Sequence, residues 1–296
     1  PPPPPPPATV RRYLADTLDI TLDLLAGTDH TDAALHFFRA ALLHEDRIGQ
    51  ALAERAAHLH LRRTPDPPPP LPVPPPRVDR PALWLPAARL QLGSEPGGFV
   101  PDNERWAEPV ALPEFEIDAQ AVNWERYIEF AEDGGYDRDE FWTEAGWAWL
   151  QAAGRRAPRD VEQLRGGVLL QRGGELQRAP SGQAAQHLTR HEAQAWCRWA
   201  GRRLPTEPEW ELAALTARHR GFIWGDVFEW VAGSARPWAG HASTPGSLDR
   251  MPAQHTLGVL RGASVTTPAR WRHPKARRFM AADSDLAFCG FRSCAS

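Results

Sequence analysis

The sequence predicts an α+β fold in which two long helices precede a larger, loop-rich region. Long segments with apolar residues at helical spacing occur near the N-terminus, whereas the rest of the chain has short apolar runs broken by glycine, proline, asparagine and aspartate. The chain also contains 31 prolines and 13 tryptophans. Large aromatic side chains can pin a domain that has little regular structure, so the tryptophans support the same interpretation.

The first helix is predicted over residues 8–26, where apolar residues recur every three or four positions and Gly27 is a plausible C-cap. A second helix is predicted to begin near Asp32, and its apolar face continues to about Leu61. Two helices alone form a poor core, because each needs another element to cover its apolar face. They should therefore belong to a helical bundle or pack against the region that follows.

A proline-rich stretch separates these helices from the remainder of the chain. Residues 64–76 contain too few backbone N–H groups to form a helix or a central strand, and they favour a stiff, extended connection. We therefore predict a helical domain over residues 1–63, a linker over residues 64–81 and a larger domain over residues 82–296.

Two helices of the larger domain have recognisable starts. Thr189 and Glu192 have the spacing of a capping box, and so do Thr206 and Glu209. Gly201 lies between the two segments and is expected to end the first of these helices.

Composition excludes several classes of function. The formal net charge is −3 and the pI is about 6.5, which lacks the basic balance typical of nucleic-acid binding. Because the sequence has no run of about 18 apolar residues, a membrane partner is not expected. Three cysteines without paired CxxC spacing argue against a disulfide framework or a structural zinc site. A cytoplasmic protein is the resulting expectation.

Several segments resemble the formylglycine-generating-enzyme superfamily. Four of them occur in the usual order of that superfamily's signatures, at residues 191–210, 224–230, 260–264 and 290–295. Two further segments resemble the branch of ergothioneine sulfoxide synthases and the related selenoneine synthases, at residues 97–106 and 132–147. Ordered motifs are a far more specific signal than any one alone, so the chain is identified as a member of this branch.

The resemblance implies both a fold and a reaction. It implies a C-type-lectin-like fold for residues 82–296 and, before it, part of an iron-binding helical bundle of the DinB type. The implied reaction is the non-haem iron- and O2-dependent formation of a C–S or C–Se bond to hercynine, the trimethylated betaine of histidine. The implied cofactor is Fe(II), and the implied partners are hercynine and a thiol or selenosugar donor. An oxidoreductase of ergothioneine or selenoneine biosynthesis is therefore the leading hypothesis.

In that branch three histidines hold the iron, and the third comes from an earlier helix. The other two come from a His-x-x-x-His-x-Glu helix, whose spacing places both imidazoles on one face. The corresponding residues here are His44, Ile48 and Gln50. The resemblance therefore assigns His44 to the metal, while the second histidine and the glutamate are replaced. Because a helix rises about 1.5 Å per residue, His36 and His58 lie too far along it to share a metal with His44.

Two arginines of the larger domain are candidate substrate ligands. Arg261 and Arg292 lie in turn-rich, apolar surroundings and could bind a substrate carboxylate bidentately. Alternatively, they could be buried and tie loops together. No catalytic residue is assigned by the pattern.

Two alternatives to the leading hypothesis stay open. The replacements at Ile48 and Gln50 are also expected of a degenerate, non-catalytic paralogue that acts as a binding or partner module. Formylglycine-generating enzymes proper use a pair of copper-binding cysteines, and Cys289 and Cys294 have a similar spacing but lie at a different place in the motif order. These two cysteines are more simply interpreted as residues that fill small apolar sites.

Overall fold

The computed structural model describes residues 3–61, 73–244 and 256–296, and it has the mixed helix and sheet content that the sequence predicts. The α-helices of these residues are α1 Pro7–Ala26, α2 His36–His58, α3 Trp124–Glu132, α4 Glu144–Ala153, α5 Arg190–Trp199 and α6 Glu207–Thr216. The β-strands are β1 Leu83–Leu85, β2 Ala88–Leu92, β3 Glu108–Leu112, β4 Phe115–Ile117, β5 Val161–Leu164, β6 Val168–Arg172, β7 Glu175–Ala179, β8 Arg202–Arg203, β9 Phe228–Ser234, β10 Gly258–Arg261, β11 Arg277–Met280, β12 Cys289–Phe291 and β13 Cys294–Ala295. None of the described helices is both long and apolar enough to span a membrane.

Helix α1 agrees with the prediction to within one residue, but α2 begins later than predicted, at His36 instead of near Asp32. Residues 31–35 form turns, in which Thr31 Oγ1 accepts a hydrogen bond from the backbone N–H of Ala34 at 3.2 Å. Side chains that bond to nearby backbone groups compete with the helical conformation, and the prediction overlooked this competition.

The predicted linker is described only from residue 73 onward, so residues 64–72 lie outside the described part of the chain. The described part runs along the larger region. Arg77 donates from Nε and Nη2 to the two carboxylate oxygens of Asp226, at 2.9 and 2.8 Å. Its backbone N–H donates to the carbonyl of Gly182 at 2.8 Å. These bonds fix the path of the chain into β1.

The larger region is built on two four-stranded sheets. The first has the strand order β1-β4-β13-β8 and the second has the order β11-β10-β9-β12. In the second sheet β12 runs parallel to β9, whereas the other neighbours are antiparallel. A ribbon of β2 and β3 and a meander of β5, β6 and β7 form smaller sheets. Because β12 and β13 join different sheets, the C-terminal segment ties the two large sheets together.

Both predicted capping boxes are confirmed, at the starts of α5 and α6. Thr189 Oγ1 accepts a hydrogen bond from the backbone N–H of Glu192 at 3.2 Å, and Glu192 Oε2 accepts one from the backbone N–H of Thr189 at 2.8 Å. Thr206 and Glu209 exchange the same pair of bonds. Each box therefore fixes where its helix starts, and α6 in turn places two buried carboxylates behind the second sheet.

Tryptophans fill much of the core. Trp124, Trp210, Trp230 and Trp238 are almost completely buried. Trp230 Nε1 donates to the backbone carbonyl of Leu188 at 2.8 Å, which satisfies the polar edge of the indole. These side chains pin the loops against the sheets, as expected of a region with short regular elements.

One buried histidine is expected to make the fold sensitive to acid. His187 is 6% exposed, and burial lowers its pKa to about 4. In the unfolded chain a histidine has a pKa of about 6.5, so as the pH falls from 6.5 to 4 the unfolded state takes up a proton that the folded state does not. The stability that this group provides is complete above pH 6.5 and is lost on acidification, by about 3 kcal/mol.

Denaturant unfolding at a series of pH values between 7 and 4 measures this effect. The matched variant is His187→Asn, because asparagine tolerates the left-handed backbone at this position, where φ is 59°. In this variant the change in unfolding free energy between pH 7 and pH 4 should be about 3 kcal/mol smaller than in the parent protein. A pH dependence identical to that of the parent protein would show that His187 is not its source.

Candidate functional site

Helix α2 turns one polar stripe toward the larger region. Asp46, Gln50 and Glu54 are spaced by four positions, so they lie on one face of the helix. Gln50 and Glu54 are each 5% exposed, and the buried Leu43 extends the same face. Asp46 and Glu54 lie outside the residues that the sequence motifs mark as a site, although their regular spacing with Gln50 is a signal of a shared face.

Asp46 joins α2 to a loop of the larger region. Its two carboxylate oxygens accept hydrogen bonds from Nε and Nη2 of Arg270, at 2.6 Å each, and Trp271 Nε1 also donates to Asp46. The Arg270 hydrogen bond lowers the pKa of the Asp46 carboxyl, and Trp271 lowers it further, while partial burial acts in the opposite direction. Asp46 is therefore an ionised group at neutral pH.

Gln50 and Glu54 continue the contact along the helix. Gln50 Nε2 donates to Oγ1 of Thr266 at 3.3 Å and to Oγ1 of Thr267 at 3.1 Å. Glu54 accepts two hydrogen bonds from the guanidinium of Arg278, at 2.6 and 2.8 Å. Gln50, which replaces the family glutamate, thus has hydrogen-bond partners in this chain. Together the three side chains hold α2 against the larger region over about three turns.

A small cavity, here called the α2 cleft, lies between this helix and the larger region. Its lining includes Leu43, Asp46, Glu104, Trp271 and His273, together with Arg47 and Arg277. Its volume is about 20 Å³, which holds about one water molecule. A larger ligand requires α2 and the facing loop to move apart.

The lining of the α2 cleft combines an aromatic wall with both acidic and basic side chains. Trp271 supplies an aromatic wall, and its ring centroid lies 6.1 Å from that of Phe99, which is 5.6 Å from His36. Asp46 and the buried Glu104 supply carboxylates. The aromatic face attracts cations, quaternary ammonium groups included, while the lining as a whole carries both signs of charge because Arg47 and Arg277 also belong to it.

His273 adds an uncharged imidazole to the cleft. Burial, followed by the positive charges of Arg261, Arg47 and Lys275, lowers its pKa to about 4. Its Nε2 lies 3.5 Å from Oε1 of Glu104. At neutral pH the ring therefore has one nitrogen that donates and one that accepts, and it can exchange hydrogen bonds or a proton with a ligand.

The two arginines predicted to contact substrate have protein carboxylates as partners. Arg261 is fully buried and donates to Glu207 at 3.1 Å and to Glu211. Arg292 is fully buried too and donates from Nη2 to Glu229 at 2.8 Å. Both also donate to backbone carbonyls. This geometry corresponds to the alternative in which the two buried arginines tie loops together. Contact of either arginine with substrate stays a prediction, and the geometry does not support it.

His44 is exposed on α2, and Ile48, one turn later, is 42% exposed. Within residues 3–61, 73–244 and 256–296, no group of three or more His, Cys, Asp or Glu side chains is arranged to hold a metal ion. The described residues therefore do not fit the three-histidine iron site that the resemblance implies. Iron binding by His44 stays a prediction.

The cysteine pair considered for copper lies on two strands of different sheets, Cys289 on β12 and Cys294 on β13. Both thiols are free and buried, and burial raises the pKa of each well above its ordinary value. A buried thiol with a raised pKa is an unfavourable metal ligand, because metals bind the thiolate. The geometry agrees with the interpretation that the two side chains fill apolar sites.

Comparison with known proteins identifies relatives. The model of the sulfatase-modifying factor enzyme 1-like domain family matches residues 72–227. The chain is 30% identical to a hercynine oxygenase of Mycolicibacterium smegmatis over 92% of this chain and 74% of the relative. It is 31% identical to a hercynine oxygenase of Mycobacterium tuberculosis over 61% of this chain and 54% of the relative. A formylglycine-generating enzyme of Streptomyces coelicolor is 32% identical over 51% of this chain and 52% of that enzyme. The chain thus spans about half the length of the last two relatives.

Proposed function

Because the chain belongs to the sulfatase-modifying factor enzyme 1-like domain family, in its hercynine oxygenase branch, we propose that it is an oxidoreductase that acts on hercynine in ergothioneine biosynthesis. The 30% identity to the hercynine oxygenase of Mycolicibacterium smegmatis, over 92% of the chain, carries this proposal. The α2 cleft supports it, because its lining combines an aromatic wall, two carboxylates, two arginines and a neutral imidazole, and hercynine is a betaine with one cationic and one carboxylate group.

We further propose the finer features that the sequence resemblance implies. The reaction would join hercynine to a thiol or selenosugar donor through a C–S or C–Se bond, in the cytoplasm. Residues 82–296 would form a C-type-lectin-like domain, and residues 1–63 part of a DinB-like bundle, with residues 64–81 as the linker. Fe(II) would supply the activation of O2. The described residues do not complete its ligand set, so the roles below concern substrate binding alone.

In the α2 cleft each side chain has a role that follows from its chemistry. The indole of Trp271 would face the trimethylammonium group of hercynine, and Asp46 and Glu104 would supply negative charge near it. The neutral His273 would exchange a hydrogen bond with the substrate. Because the cleft holds about one water molecule, substrate has to separate α2 from the loop that carries Arg270.

Replacing Trp271 by leucine is expected to weaken hercynine binding about 5- to 30-fold, because a desolvated cation–π contact contributes about 1–2 kcal/mol. Calorimetric titration of hercynine measures the change. The matched control is Trp84→Leu, since Trp84 is 53% exposed on β1 and is absent from the cleft lining. Equal losses in both variants would contradict a specific role for Trp271.

Turnover separates the proposed enzyme from the non-catalytic alternative. Protein incubated with ferrous iron, O2, hercynine and γ-glutamylcysteine, cysteine or a selenosugar should yield a coupled product in mass spectra. Hercynine binding without product would support a degenerate binding module. The replacement by Ile48 and the incomplete ligand set among the described residues favour that alternative, whereas the similarity to hercynine oxygenases does not. If hercynine neither binds nor is converted to a product, both proposals are overturned.

A metal analysis tests the predicted role of His44. If the parent protein binds iron stoichiometrically and the His44→Ala variant does not, His44 is assigned to the metal.

A further inference from the structure

A basic groove, here called the arginine groove, lies at the C-terminal end of α6. Its volume is about 970 Å³, near the upper end of the roughly 300–1,000 Å³ that small-molecule pockets occupy. Its lining contains Arg80, Arg218, His219, Arg220 and Arg272, and none of its described lining residues is acidic. It shares no lining residue with the α2 cleft.

This concentration of positive charge is local, because the whole chain has a formal net charge of −3. The four arginines are exposed, and in the part of the chain that the structure describes no ion pair joins any of them to an aspartate or glutamate. The C-terminal end of α6 contributes about half a negative charge through the helix dipole. That fraction is too small to offset four guanidinium groups, so the groove has a positive potential that attracts anions.

The backbone of the groove lies close to two of these guanidinium groups. Gly221 and Gly225 have positive φ values of 96° and 99°, which favour glycine. A β-carbon on Gly221 would lie 2.7 Å from Nη1 of Arg80, so that the arginine would have to move, whereas one on Gly225 would be at an ordinary contact distance of 3.6 Å from Nη1 of Arg272. Two backbone carbonyls also accept hydrogen bonds from Arg272, at 2.9 and 3.0 Å. Because a backbone carbonyl has no net charge, these two partners hold the Arg272 guanidinium in place without neutralising it.

We propose that the arginine groove binds a small polyanion that carries two or more phosphate or carboxylate groups. The planar fork of arginine matches both groups bidentately. The four arginines come from three separate parts of the chain, with Arg218 and Arg220 on one 3-10 helix and Arg80 and Arg272 on distant segments. Several anionic groups on one ligand are therefore needed to use them together. The groove has its own lining residues and its proposed ligand is not hercynine, so the inference goes beyond the proposed function.

Calorimetric titrations of pyrophosphate and citrate into the full chain at low salt test this proposal. At least one of the two is expected to bind saturably, and which one binds more tightly identifies phosphate or carboxylate as the preferred group. The double variant Arg218→Gln/Arg220→Gln should raise the Kd about tenfold or more, because it removes two charge-assisted contacts. The matched control Arg89→Gln/Arg178→Gln removes the same charge from exposed positions outside the groove and should change the Kd less than about twofold.

Two results would overturn the proposal. One is the absence of saturable binding of either anion to the parent protein. The other is an equal loss of affinity in both double variants, which would show attraction by net charge alone. Circular dichroism checks that each variant is folded. If the double variant is unfolded, Arg80→Gln removes a cation from another part of the groove and is expected to weaken binding in the same direction.

Discussion

Replacing Glu207 by alanine is expected to lower the free energy of unfolding by about 3–5 kcal/mol, because it leaves the buried Arg277 without a counter-charge and removes one of the two carboxylates that pair with Arg261. The two carboxylate oxygens of Glu207 accept hydrogen bonds from Arg277 at 2.8 and 2.9 Å, and one also accepts from Arg261 at 3.1 Å. Both guanidinium groups are completely buried. Water cannot solvate them after the substitution unless the helix and sheet separate.

Equilibrium unfolding in urea measures this loss. The matched control is Glu140→Ala, which removes a carboxylate that pairs with Arg138 on the surface. Exposed ion pairs contribute up to about 1 kcal/mol, so the control should change stability little. A loss below about 1 kcal/mol in Glu207→Ala would contradict the role of the buried cluster in holding α6 against the second sheet.

Replacing Arg292 by alanine is expected to cost a similar 3–5 kcal/mol or so, for the opposite reason. Glu229 is 1% exposed and would lose its positively charged partner, with the hydrogen bond from Trp210 Nε1 at 2.7 Å as a remaining polar contact. Arg292 also donates to the backbone carbonyls of Asp118 and Ile223, which would lose their donor. The variant therefore weakens both the sheet and the loop beside it.

This substitution also tests the substrate role that the sequence pattern suggested for Arg292. Urea unfolding gives the loss of stability, and hercynine titration at a temperature where the variant is folded gives its affinity. A structural role predicts lower stability with hercynine affinity within about twofold of the parent protein. A variant that keeps its stability and loses hercynine binding would assign Arg292 to the substrate instead. Arg292→Lys, which keeps the charge, provides a second variant if the alanine variant does not fold.

The parts of the fold that could be predicted from sequence are those that depend on neighbouring residues. The start of α5 follows from Thr189 and Glu192, which are three positions apart, and both can be read without knowing the fold. The contacts of α2 could not be predicted in this way. Asp46 and Glu54 each pair with an arginine that follows 224 residues later, and the choice among the many arginines depends on how the chain packs.

The candidate site shows the same limit. The motif around Arg261 identifies its position, but its partners come from α6, which packs behind β10. Periodicity cannot show which side of β10 that helix covers, so substrate binding and loop tying were equally consistent with the sequence. The cleft residues Trp271 and His273 were missed because their neighbours on α2 are far away in the chain.

The most direct test of the central claim is a calorimetric titration of hercynine into the full chain, with histidine as the comparison ligand. Histidine lacks the trimethylated ammonium group that the α2 cleft is proposed to recognise. We expect saturable binding of hercynine to one site and about tenfold weaker binding of histidine, because the α-ammonium of histidine is more strongly hydrated than a trimethylammonium group and is costlier to place against an indole. Equal affinity for the two ligands, or no binding of hercynine, would contradict the proposal that this chain recognises hercynine.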